Sequence, residues 1–145
     1  MIIEFSVKNY RSIKDLQTLS LIAAPIKSKN QELDFNNVIP VSEKLSLLKS
    51  VAIYGANGSG KSNLIKALIM MFIFIDKSFQ DDELGKRIIE PFAFDKASFE
   101  EPTFFQLIFI SDNVKYRYGF EVKGNTVVSE WLFGTPGKKE VYYFT

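Results

Sequence analysis

Hydrophobic and polar positions alternate from the start of the chain. Ile3, Phe5 and Val7 interleave with Ile2, Glu4, Ser6 and Lys8, the period-two pattern of a half-buried strand. Asn9-Tyr10-Arg11-Ser12 interrupts it, and Gln17 to Ala23 reads as a second strand returning beside the first. Residues 24–46 are polar and without a period, with Pro25, Pro40 and the asparagines Asn30, Asn36 and Asn37. They predict a long surface connection with at most a short turn of structure. Leu47 to Tyr54 is an apolar, strand-like run, and beyond a glycine-rich break Asn63 to Met70 suits a helix packed on a sheet. That helix is apolar nearly all round from Ala67 to Ile75, which predicts burial on more than one side.

Asp81, Asp82 and Glu83 with Gly85 mark a loop, and Pro91 and Pro102 bracket another irregular segment. Residues 103–145 read as an antiparallel β-meander. Phe104 to Ile110 is its first strand, and Ser111-Asp112-Asn113 is a turn. Val114, Tyr116, Tyr118, Phe120 and Val122 then alternate with Lys115, Arg117, Gly119 and Glu121. Lys123-Gly124-Asn125 turns into Val127 to Phe133, and Thr135-Pro136-Gly137-Lys138 turns into Val141 to Phe144.

Composition narrows the classes. The 145 residues fit one domain, long enough to bury about two-thirds of the unfolded surface. A net charge of +1 gives no electrostatic footprint for nucleic acid or an anionic membrane. The absence of Cys excludes disulfides, thiolate metal sites and cysteine nucleophiles, and the absence of His removes imidazole as base or ligand. Met1-Ile2-Ile3-Glu4-Phe5 is not a secretory signal. The longest apolar stretch, Leu64 to Ile75, contains Lys66 and is shorter than the ~20 residues a membrane span needs. A soluble, cytoplasmic protein with no membrane partner is expected.

The glycine-rich break carries the chemistry. Gly55-Ala56-Asn57-Gly58-Ser59-Gly60-Lys61-Ser62 is a complete match to G-x-x-x-x-G-K-[ST], the Walker A P-loop. Gly55, Gly58 and Gly60 allow backbone conformations that a Cβ forbids and a close approach to phosphate oxygens. Successive amides, with the N-terminus of the following helix, make an anion nest. Lys61 is suited to the β- and γ-phosphates and the Ser62 hydroxyl to Mg²⁺, so the expected cofactors are ATP and Mg²⁺. The loop requires helix after it, which decides Met71 to Ile75 against their strand propensity. The fold expected is α/β, a P-loop core with an antiparallel β-subdomain, as one unit over residues 1–145.

Other residues read more simply. Asp76 ends an apolar run, as a second Mg²⁺ ligand often does, but lies about 20 Å along the same helix from Lys61. Asp112 reads as a turn residue of its hairpin. Asp82-Glu83-Leu84-Gly85 fits D-x-x-G, yet no N-K-x-D for guanine accompanies it. The stripe Tyr116, Tyr118, Phe120 is a sheet face rather than a base-stacking platform. Trp131 reads as core or interface.

Gly55-x-Asn57-Gly58-Ser59-Gly60-Lys61-Ser62-Asn63 resembles the ABC-type ATPase heads of the RecF and SMC kind, and the related bacterial AAA-labelled and OLD-type ATPases. Phe5-x-Val7-Lys8-Asn9-Tyr10-Arg11-Ser12 looks like that group's opening strand and turn. The resemblance implies that Asn57 and Asn63 belong to the loop motif and that Arg11 and Ser12 lie beside the nucleotide. It also implies a parent that hydrolyses ATP on head-to-head dimerisation. The group's glutamine loop, signature motif, acid pair and switch His follow the antiparallel sheet, and none is visible here. Gln106 falls inside a strand and does not take the glutamine-loop role. The chain therefore looks like the N-terminal lobe of a larger ATPase, by itself inactive, whose partner is a C-terminal lobe or another copy. The resemblance leaves DNA open as a partner, but charge does not indicate it. The alternative is a non-catalytic, nucleotide-gated interaction module; a small-molecule kinase is disfavoured for want of an acceptor lid.

Overall fold

The computed structural model describes residues 1–26, 29, 31–77, 89–124 and 126–145. The loop expected around Asp81 to Gly85, with its D-x-x-G, lies outside the described residues, as does Asn125. Strands β1 (Ile2–Lys8) and β2 (Gln17–Ser20) pair antiparallel, with Phe5 opposite Leu19. The meander follows as β5 (Thr103–Ser111), β6 (Val114–Lys123), β7 (Thr126–Thr135) and β8 (Val141–Phe144). Together they form a six-stranded sheet in the order β2-β1-β5-β6-β7-β8. The turn chemistry behaves as expected: Asp112 and Asn113 have φ of 48° and 61°, and Gly124 has 61°. Two adjacent left-handed residues are what a tight hairpin with matching twist requires.

Helix α2 (Lys61–Lys77) lies on one face of this sheet. Alternate residues of the central strands turn toward it: Phe5 and Val7 from β1, Phe105 and Leu107 from β5, Phe120 and Val122 from β6. Ala67 and Met71 of the helix are fully buried against them, and Phe74 stacks on Phe120 with ring centroids 4.2 Å apart. At roughly 1.5–3 kcal/mol per large side chain removed from water, this layer holds helix and sheet together. The Tyr118 hydroxyl donates to Glu130 Oε1 at 2.7 Å, and burial, with that bond second, pushes the Tyr118 phenol well above its ordinary value.

The opposite face has a fixed steric requirement at Gly119. A Cβ there would lie 2.7 Å from the Phe105 carbonyl oxygen and would also strike the Trp131 ring. Trp131 packs across this glycine, stacked on Phe104 at 5.5 Å, with its Nε1 buried and without a hydrogen-bond partner among the described residues. Because the backbone cannot yield cheaply, Gly119→Ala should cost about 1–3 kcal/mol and displace the indole. Urea unfolding followed by Trp131 fluorescence reads both effects; an unchanged midpoint and emission would show that the sheet opens there freely.

Three expectations are corrected. Residues 24–46 are more ordered than a bare connection: they hold α1 (Gln31–Asn37) and β3 (Val38–Ser42), which pairs with β4 (Leu45–Leu48). Pro40 is tolerated there because a two-stranded ribbon leaves it an open edge. Secondly, the strand expected from Leu47 to Tyr54 does not form as one piece. Its first half is β4, anchored by Leu47 to Ile22, whereas residues 51–54 have no ladder partner. All pairing among the described strands is antiparallel, so a parallel neighbour that would make residues 51–54 a strand is not among them. Thirdly, α2 is covered on one side only: Ile65, Ile69, Phe72 and Ile75 remain 40–52% exposed. No helix among the described residues is long and apolar enough to cross a membrane.

Candidate functional site

The glycine-rich loop closes on itself immediately before α2. Ser59 N donates to Ala56 O at 3.2 Å, and Gly58 adopts φ 80° within that turn. Gly60 has φ 90°, and Leu64 N bonds its carbonyl at 3.0 Å, so the helix begins from this glycine. L-residues are strained at such φ values, which accounts for glycine at 58 and 60. Gly55 answers to a different constraint, since a Cβ there would come within 2.7 Å of Ser59 Oγ. The Lys61 ammonium curls back over the loop and donates to the carbonyls of Gly55 and Ala56, each at 2.7 Å. The Ser62 hydroxyl, one residue into the helix, is exposed and makes no hydrogen bond with a described residue.

The turn after β1 is fitted against this loop. Asn63 Nδ2 donates to Ser12 Oγ at 2.8 Å, and a Cβ on Gly60 would lie 3.1 Å from the same oxygen. Ser12 therefore sits in space that glycine at position 60 leaves open. The turn is built by Asn9, whose φ of 55° and near-complete burial are matched by a full set of bonds. Its Nδ2 donates to Ser98 O at 2.8 Å and Glu101 O at 2.9 Å, while its Oδ1 accepts from Phe92 N at 2.9 Å. Tyr10 packs edge-on against Phe105 with centroids 5.8 Å apart, and burial raises its phenol above the ordinary value.

Arg11 and Ser12 part company. Ser12 faces the loop, but Arg11 (φ 52°) lies over the Tyr10 ring with Nε 3.2 Å from Glu90 Oε2, an ion pair without hydrogen-bond alignment. A cleft of 470 Å³ opens between turn and loop, lined on one side by Ser59, Gly60, Lys61 and Leu64. Ser12, Ile13, Lys14, Asp15 and Gln17 line the other, and Ile53 and Tyr54 complete it. Arg11, Gly55, Asn57, Gly58 and Ser62 do not line this cleft; Asn63 reaches it through Ser12. Lys14 Nζ pairs with Asp95 Oδ2 at 2.8 Å. That bond raises the Lys14 ammonium and, with the Ala97 amide behind it, holds the Asp95 carboxyl below its usual range.

The acids fall where the cleft needs explaining. Asp76 is at the far end of α2, and Asp112 is in the β5–β6 turn. That turn lies beside the start of β1, since Ile110 N bonds Met1 O; at about 3.3 Å per residue, β1 holds it some 20 Å from Ser12. Among the described residues, the acid that lines the cleft is Asp15, three residues beyond Ser12. Its only signal in sequence is that nearness to the Arg-Ser turn. Among the described residues no group of three or more Asp, Glu, His or Cys is placed to hold a metal ion. The loop thus brings together two positive-φ glycines, a lysine folded back on the loop carbonyls and the start of a helix.

No curated protein matches the chain. A family model described as "AAA domain, putative AbiEii toxin, Type IV TA system" matches residues 50–144, the stretch that begins just before the loop and ends in β8. The chain belongs to this family and is a P-loop ATPase-like AAA domain, with the nucleotide-binding class of function that the family carries.

Proposed function

We propose that the chain binds Mg-ATP through Gly55–Ser62, as the N-terminal lobe of an ABC-type ATPase of the RecF/SMC-like group. The observation that carries this reading is the left-handed Gly58 and Gly60 beside Lys61 at the start of a 17-residue helix. A Cβ at 55 would fill that cradle, and a Cβ at 60 would crowd it, so the loop fits a phosphate chain. The loop amides hold the phosphates. Lys61 exchanges two neutral carbonyl acceptors for an anionic one, which adds the attraction of opposite charges. Ser62 offers its free hydroxyl to Mg²⁺. Asn57 shapes the loop, and Asn63 holds Ser12 against Gly60. Arg11 joins this site only by giving up Glu90. When bound, Mg-ATP supplies a phosphoanhydride, and the protein's part is to neutralise and orient it.

The exposed stripe of Ile65, Ile69, Phe72 and Ile75 fits the same reading. An apolar helix face, together with a segment at 51–54 of strand composition that forms no strand, suits a second ATPase lobe or another copy of the chain. The test for the site uses ligands that differ in phosphate number. Mg-ATP should raise the melting temperature, by about 2.7 kcal/mol of stabilisation at a hundredfold excess over Kd, whereas AMP at equal concentration should leave it unchanged. Equal shifts with ATP and AMP, or none with either, would contradict the phosphate-binding role of the loop.

A further inference from the structure

The cleft beside the P-loop has two chemically different ends. Ser59, Gly60 and Lys61 make a cationic, amide-rich end, which the reading above assigns to phosphates. The other wall, the connection from β1 to β2, offers Ile13, Asp15 and Gln17. An Asp carboxylate is an acceptor only and repels phosphate oxygens, so Asp15 does not belong to a phosphate subsite. Lys14 beside it does not change this, because its ammonium is matched by Asp95 at 2.8 Å. The side chains of Asp15 and Gln17 are exposed and make no hydrogen bond or ion pair with any described residue. Two exposed polar groups with no hydrogen-bond partner among the described residues therefore share a 470 Å³ cleft with the glycine-rich loop. That volume is within the range of about 300–1,000 Å³ typical of sites that enclose a whole small ligand.

We infer that Asp15 and Gln17 hold the nucleoside end of the bound triphosphate, Asp15 by accepting hydrogen bonds from sugar or base donors and Gln17 by reading the base edge. The inference rests on the phosphate reading of Gly55–Ser62 and adds to it the groups that distinguish a nucleotide from a bare polyphosphate. A nucleotide brings N–H and O–H donors for Asp15 and both donors and acceptors for the Gln17 amide, whereas tripolyphosphate brings acceptors alone and nothing for Asp15. Sites built on such pairs discriminate strongly against an analogue that leaves them unmet.

Isothermal titration of the full chain with Mg-ATP, Mg-tripolyphosphate and Mg-2′,3′-dideoxy-ATP tests this. Wild type should prefer ATP to tripolyphosphate by about tenfold, the worth of one or two hydrogen bonds. Asp15→Ala and Gln17→Ala, both at exposed positions, should each shrink that preference several-fold while tripolyphosphate binds no worse. If Asp15 takes the ribose hydroxyls, Asp15→Ala has no further effect with the dideoxy ligand; if it takes the base, the effect persists. Either pattern upholds the inference. A preference unchanged in both variants overturns it and leaves the P-loop reading standing, provided that tripolyphosphate binding still depends on Lys61. Wild type that binds neither ligand overturns both.

Discussion

Asn9→Ala should destabilise the chain by about 3–5 kcal/mol, a large part of the 5–15 kcal/mol that holds a domain of this size. Asn9 is 1% exposed, and its amide serves four backbone groups on the 89–102 segment, those of Phe92, Ser98 and Glu101 closely and that of Pro102 at 3.4 Å. Alanine leaves those groups without their partner, at about 1–3 kcal/mol for a fully buried one such as Ser98 O and less for the part-buried others. It must also take the φ of 55° that Asn tolerates better. A second consequence follows from position. Asn9 sets the turn that delivers Ser12 to Gly60, so loss of the amide should loosen the cleft as well as the fold. Urea unfolding checks the first effect. A loss under about 1 kcal/mol would mean that the 89–102 segment is held by other contacts, among them Arg11 N to Glu90 O, Lys14 to Asp95 and the core side chain Ile89.

Much of this arrangement is legible in the residues. Period-two alternation gives β1 its full extent and places the strands of the meander, because one face of each is buried and the other is not. Asp112-Asn113 and Gly124 mark their turns through φ, a local property. The P-loop helix is legible because the loop demands it. What sequence alone misses depends on partners. Residues 31–48 form a helix and a hairpin whose pairing, as of Ile39 with Leu47, has no period strong enough to announce it. Residues 51–54 have strand composition, but a strand exists only beside a neighbour. The all-round apolar pattern of α2 predicts two covers, and the described sheet supplies one.

The site divides in the same way. Gly58 and Gly60 are legible through the left-handed backbone they permit, and Lys61 through its charge. Asn9 looks in sequence like one residue of a turn motif, and only the folded chain shows it bonded to residues more than 80 positions away. Lys14 looks like an ordinary surface cation, yet it lines the cleft, paired to Asp95. Asp15 lines the same cleft and is overlooked for an equally physical reason: acids are sought after buried strands, not in an exposed turn.

Lys61→Ala should cost the chain most of its affinity for Mg-ATP and little of its stability. The ammonium is bonded to two exposed loop carbonyls, which water can satisfy once the side chain is gone. With nucleotide, the same ammonium would be the one side-chain cation lining the loop side of the cleft. A charge-assisted contact to phosphate is worth about 1.5–3 kcal/mol, so affinity should fall roughly tenfold to a hundredfold. The most direct measurement is calorimetric titration of Mg-ATP into wild type and Lys61→Ala, with unliganded melting curves confirming that both are folded. Saturable binding by wild type, weakened by at least about tenfold in the variant at an unchanged melting temperature, is the predicted result. Equal affinity in the two proteins, or no binding by wild type, would contradict the assignment of Gly55–Ser62 as a nucleotide site.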